Sequence, residues 1–228
     1  METDENIEQE EDYQQAFSRG ALEFATVARE YCVFAENAGR YAKADYLRVA
    51  SRLLPLLYMK AAMLPETRRA SDDDLPEIVD YETYESVRRG VRARLTGHDD
   101  YLTAQKEDFR LSETPIAASI SEDMADIYQD VRNFCEQYHS GDNAVMNDAL
   151  ALVAEKFRTS WGQRACDALG AIHAALYGGD DLADEAPAPD GDAPDFDDAG
   201  PDAAGPDGGT PYFLRQAGMR LVDNKKRR

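Results

Sequence analysis

Between residues 116 and 177, apolar side chains recur at three- and four-residue steps, and that spacing commits the chain to helices that each bury one face. Ile120, Met124, Ile127, Tyr128, Val131, Phe134, Cys135 and Tyr138 lie on one stripe of a 3.6-residue period. Met146, Leu150, Val153, Phe157, Trp161, Leu169, Ile172 and Leu176 form a second stripe. A strand would need a period of two, and neither stripe has it. Both faces require cover from elsewhere in the chain.

The preceding residues supply that cover. Tyr13, Phe17, Ala21, Phe24, Ala28, Tyr31, Ala35 and Ala38 predict a first helix over 13–38, stopped by Asn37 and Gly39. Tyr41, Ala44, Leu47, Ala50, Leu54, Leu57, Ala61 and Leu64 predict a second, with Pro55 expected to kink it or split it near Leu54. A polar loop follows over 66–75, with Asp72, Asp73 and Asp74 as candidate caps and Pro76 at the first position of a third helix. Ile78, Tyr81, Tyr84, Val87, Val91 and Leu95 give that helix its apolar face, and Gly97 ends it. The pattern lapses over 98–115, where Tyr101, Leu102, Phe109 and Leu111 suggest a packed connection. Ser119 and Glu122 form a capping box for the fourth helix, Ser140-Gly141 closes it, and Asp142 or Asn143 opens the fifth, with a bend at Gly162.

The expected architecture is therefore all-α, a bundle of about five long helices over residues 13–177. An acidic, frayed N-terminus over 1–12 precedes it. A disordered linker of Asp, Ala, Gly and Pro over 178–210 follows, and then a short basic, apolar tail over 211–228.

A net charge of −20 favours basic partners and argues against nucleic acid as a partner of the main body. Cys32, Cys135 and Cys166 are far apart and set among apolar positions, which reads as free, buried thiols in a reducing compartment. The opening METDENIEQEED lacks the basic-then-apolar order of a signal peptide. The most apolar run, 53–64, is too short to span a bilayer and contains Lys60. Together these predict a cytoplasmic protein with no membrane partner.

Candidate chemistry is sparse. Asp123, Asp126 and Asp130 stand at i, i+3 and i+7, where carboxylates share a hard cation such as Mg²⁺ if a second helix adds further acids. The same residues also suit a structural role, since Glu122 and Asp123 sit in a helix's first turn and Asp126 and Asp130 are placed to pair with an arginine. Arg88, Arg89, Arg92 and Arg94 make a basic strip, read mainly as a solvated face paired to nearby carboxylates. Trp161, Tyr31, Tyr41, Tyr58 and Tyr128 have core spacing. His98, His139 and His173 stand at no zinc-ligand spacing, and no nucleotide-binding, metalloprotease or nucleophile-elbow motif occurs. No residue is assigned a catalytic role.

Three phrases resemble a family of bacterial helical proteins known as domain of unknown function 5063. They are LLPLLYMKAAMLP at 53–65, SISEDMADIYQDVRNF at 119–134 and SWGQRACDALGAIH at 160–173. The likeness spans about residues 14–177, and it implies a helical fold without assigning catalytic residues. Separately, Glu122-Asp123-Met124-Ala125-Asp126 resembles the second acidic motif of all-α nucleoside triphosphate pyrophosphohydrolases. That likeness implies Mg²⁺ held by acids of two adjacent helices, with Glu82 and Glu85 as the partner motif. The order of the motifs and the loop lengths depart from that family.

Within the tail, Tyr212, Phe213, Leu214, Met219 and Leu221 alternate with Arg215, Arg220, Lys225, Lys226, Arg227 and Arg228. An apolar, basic segment beyond a polar linker has the layout of a docking peptide, able to fold back on the acidic body or to reach a protein partner. The leading expectation is a non-enzymatic interaction or adaptor module with no cofactor. The alternative is a Mg²⁺-dependent pyrophosphohydrolase-like enzyme.

Overall fold

A computed structural model of the chain describes residues 15–71, 73–103, 116–179 and 181–182. Its elements are α1 (Arg19–Glu36), α2 (Lys43–Ala62), α3 (Tyr81–Arg94), β1 (Asp100–Thr103), β2 (Ile116–Ser119), α4 (Ile120–Tyr138), α5 (Asn143–Lys156) and α6 (Gly162–Tyr177). A π-helical turn over Phe157–Trp161 joins the last two. The fold is all-α, as the apolar periodicity requires. The expected features of residues 1–12, Tyr13, Asp72, Phe109, Leu111, the linker over 183–210 and the tail over 211–228 lie outside the described residues.

Side-chain caps set most of the helix starts. Ser18 accepts from the Ala21 amide at 3.2 Å, Asp80 from Thr83 at 2.8 Å and Ser119 from Glu122 at 3.3 Å. Asp142 accepts from Ala144 at 2.9 Å and Val145 at 3.2 Å. Each satisfies a backbone donor that the first turn leaves without an intrahelical partner. Pro55 does not divide α2, which is continuous from Lys43 to Ala62 with Pro55 on its exposed side.

α4 is the centre. It packs against α1, α3, α5 and α6, and Ile120, Met124, Ile127, Val131 and Phe134 are almost wholly buried. Phe24 of α1 meets Phe134 at a ring-centroid distance of 5.0 Å and Trp161 at 6.5 Å. The Tyr31 hydroxyl donates to the Met124 carbonyl at 2.7 Å, and the Trp161 indole N–H to the Val153 carbonyl at 3.3 Å. Both large rings thereby enter the core with their polar atoms satisfied.

Two expectations require correction. The third helix begins at Tyr81, capped by Asp80, and not at Pro76. The described residues 64–71 and 73–79 are non-helical, and buried side chains of α4 and α5 take several of their backbone bonds. Asn133 Oδ1 accepts from the Ile78 and Val79 amides, each at 2.9 Å, and Gln137 Nε2 donates to the Pro76 carbonyl at 2.8 Å. Asp148 accepts from Ala70 at 2.6 Å and Ser71 at 3.1 Å, while Asn147 donates to the Arg68 carbonyl at 2.8 Å. Ile78 and Tyr81 consequently lie outside the apolar face of α3 and are exposed. The second correction concerns 98–119, where β1 and β2 pair antiparallel, Asp100 opposite Ser119 and Thr103 opposite Ile116.

The expected bend near Gly162 is the π-helical turn. A Cβ on Gly162 would lie 2.4 Å from the Phe157 carbonyl oxygen and 2.9 Å from its ring. Glycine is required there for closeness alone, since its φ of −62° is ordinary. Gly162→Ala should destabilise the fold by roughly 1–3 kcal/mol through overpacking. Asn133→Ala should cost about 2–3 kcal/mol by stranding two amide donors. Urea unfolding followed by circular dichroism checks both.

Candidate functional site

The acidic face of α4 meets three other elements. Asp123 is buried; its carboxylate accepts from the Tyr101 hydroxyl of β1 and, at 3.2 Å, from the Arg164 guanidinium of α6. Arg164 also pairs with Asp126 at 2.9 Å, and Asp126 accepts from the Tyr84 hydroxyl of α3 at 2.7 Å. One half-buried arginine thus bridges two carboxylates a helical turn apart. Asp130, one turn further, pairs with Lys156 at 2.7 Å.

The proposed metal residues are accordingly distributed. α3 and α4 do pack side by side, and Asp123, Asp126 and Asp130 lie along one edge of α4. Glu85, however, is bound to Arg88 through two contacts of 2.8 Å, and Glu82 stands exposed in the first turn of α3. Among the described residues no group of three or more His, Cys, Asp or Glu side chains is placed to hold a metal ion. The basic strip of α3 is partly spent within the chain: Arg88 holds Glu85, Arg89 donates to the Glu85 carbonyl at 3.2 Å, and Arg94 donates to that of Gly39 at 3.1 Å. The proposed docking residues Tyr212, Phe213, Leu214, Arg215, Met219, Arg220, Leu221, Lys225, Lys226, Arg227 and Arg228 lie outside the described residues.

Several participants carried no sequence signal. Arg164 and Tyr101 are distant from Asp123 in the chain, and only the fold unites them. Asp99 is another: its carboxylate accepts from the Ser121 amide at 2.8 Å and its hydroxyl at 2.7 Å, reinforcing the N-terminus of α4. The thiols also differ from expectation. Cys32 is buried and hydrogen-bonded to half-buried Cys135, whereas Cys166 is exposed. Cys166 follows buried Ala165 on α6.

Two adjoining cavities flank this face. One, of 340 Å³, lies between the 74–77 segment, α4 and α5; its floor includes Phe134 and Val153, and its rim Asp74, Glu77, Asp130 and Lys156. The other, of 550 Å³, is bounded by Glu77, Asp80, Tyr81, Tyr84, Asp126 and Gln129. Glu77 lines both, and the two together are termed the trough. Five carboxylates line it, and Lys156 is the one cation among its lining residues.

Burial, opposed by the Tyr101 and Arg164 hydrogen bonds, pushes the Asp123 carboxyl up to about 6. The folded value then lies above the unfolded one, near 3.9. The stability contributed by this group is full below the unfolded value and is lost as pH rises through about 6. The loss is at most roughly 3 kcal/mol. A carboxyl-carbon NMR titration should give Asp123 a midpoint near 6, moving higher in Arg164→Ala, and Asp123→Asn should flatten the pH dependence of unfolding across that window.

The described helices contain none long and apolar enough to cross a membrane. A comparison with curated proteins gives no match. A crystal structure of protein BF1032 from Bacteroides fragilis is similar to this chain, with 35% identity and a TM-score of 0.65 over 73% of this chain and 98% of that one. The family model for domain of unknown function DUF5063 matches residues 15–178. The helical body described above, from the cap of its first helix to the end of its last, therefore belongs to the DUF5063 family.

Proposed function

We propose that this protein is a non-enzymatic interaction module whose helical body takes up basic, partly apolar polypeptide segments. The observation that carries this reading is the trough beside α4. Its rim acids Asp74, Glu77 and Asp80 are exposed, half-buried Leu75 and Leu152 add apolar surface to the first cavity, and Tyr81 of the second stands 79% exposed. An arginine or lysine side chain has the matching form, an apolar stem with a cationic head. Tyrosine rings add a face for cations.

The α4 carboxylates support the same preference in another way. Asp123 and Asp126 share Arg164, Asp130 holds Lys156, and Glu85 holds Arg88. To serve as ligands or bases they would first have to give up these partners. Of the rim acids, Asp80 caps α3 through one carboxylate oxygen and keeps its exposed face, and Asp74 is nearly free. Asp74 approaches Arg69 only at 3.7 Å while 99% exposed, and such a contact contributes little.

The body without its tail is a reasonable reagent, because the solved relative is matched over 98% of its length by the helical part of this chain. Random 12-residue peptides displayed on phage and selected against residues 15–182 should enrich lysine or arginine interspersed with apolar residues. Binding of the enriched peptides should weaken at least tenfold in Glu77→Lys and in Tyr81→Ala, and should fall steeply with added salt. Absence of enrichment, or enrichment indifferent to both substitutions, would contradict the reading.

A further inference from the structure

Resting on that reading, we infer that the trough's resident occupant is the chain's own segment 211–228, bound in cis, so that an external partner must displace it.

The chemistry of the two sides is complementary. The trough sets five carboxylates beside half-buried Leu75 and Leu152, with one lining cation. The segment PYFLRQAGMRLVDNKKRR carries six basic residues against the single acid Asp223, and intersperses them with Tyr212, Phe213, Leu214, Met219 and Leu221. Elsewhere in the chain basic residues are outnumbered by acidic ones, and the 28 residues of 183–210 contain none at all. No other segment so basic is joined to the described body by so long a tether.

The tether's length permits the match. Residues 183–210, rich in Asp, Ala, Gly and Pro, have a composition that spans roughly 30 Å, and more when drawn out. A segment tethered within that reach meets the trough at an effective concentration on the order of millimolar. A weak contact is then largely occupied, while a partner offering a similar segment in solution competes poorly. Glu77 lines both cavities, so a segment lying along the 74–81 stretch passes both. Leu214 or Met219 suits the first cavity beside half-buried Leu75 and Leu152, and the terminal KKRR suits the exposed acids Glu77 and Asp80.

Zero-length carbodiimide cross-linking of the full chain, read by mass spectrometry on the monomer band, tests this. Lys225 and Lys226 should join to Asp74, Glu77 or Asp80 in preference to exposed acids elsewhere, such as Glu136 and Glu155. The preference should disappear in Tyr81→Ala, which replaces an exposed ring and leaves the core intact, and in 1 M NaCl. A synthetic 211–228 peptide should bind residues 15–182 at least tenfold more tightly than it binds the full chain. Cross-links spread evenly over surface acids, or equal affinity for the two forms, would overturn the cis arrangement. Either result would leave intact the reading that the body takes up basic segments, because that reading is judged by displayed peptides on the tail-less body.

Discussion

A helix at the centre of a bundle buries polar as well as apolar positions, and the polar ones demand partners. α4 spans 19 residues, and Ser121, Asp123, Asn133 and Gln137 are among those it buries. A buried amide or carboxylate without a partner costs on the order of 1–3 kcal/mol. Each of these four is matched by a connection between helices and not by another helix's apolar face. Ser121 takes Asp99, Asp123 takes Tyr101 of the hairpin, and Asn133 and Gln137 take the backbone of residues 76–79. The apolar stripe of α4 gathers the bundle, and its polar positions fasten the chain that links the bundle's parts.

This division explains what was legible beforehand. Ile120, Met124, Val131 and Phe134 announce a buried helix by spacing alone, and hydrophobic burial needs no particular partner. Ser119 and Asp142 were readable as caps because capping is local, acting within three residues. Asn133 and Gln137 gave no comparable warning, since an asparagine on a helix edge reads as solvated until the fold brings Ile78 and Val79 beside it. Pro76 misled for the same reason: its preference for a first helical turn was outweighed by bonds its neighbours make with α4. Arg164 likewise lies some forty positions from Asp123, and no spacing rule links them.

The functional proposal follows from the fastening. Holding residues 74–79 against α4 and α5 leaves Asp74, Glu77 and Asp80 on an exposed rim beside half-buried Leu75 and Leu152. The carboxylates that first drew attention, Asp123, Asp126 and Asp130, are mostly turned to internal pairing. The exposed acids are those of a connecting segment whose backbone is bonded from below, whose Val79 enters the core, and whose acidic side chains face outward. The exposed acids beside α4 thus owe their position to one structural device.

Native-state hydrogen exchange tests this account most directly. If buried polar groups of α4 fasten the connections into the bundle's cooperative unit, the Ile78 and Val79 amides should exchange nearly as slowly as those in the middle of α4, through global unfolding. Exchange of these two amides at the rate of open chain, with α4 still fully protected, would show that the connecting segment is not held by α4 and would contradict the account.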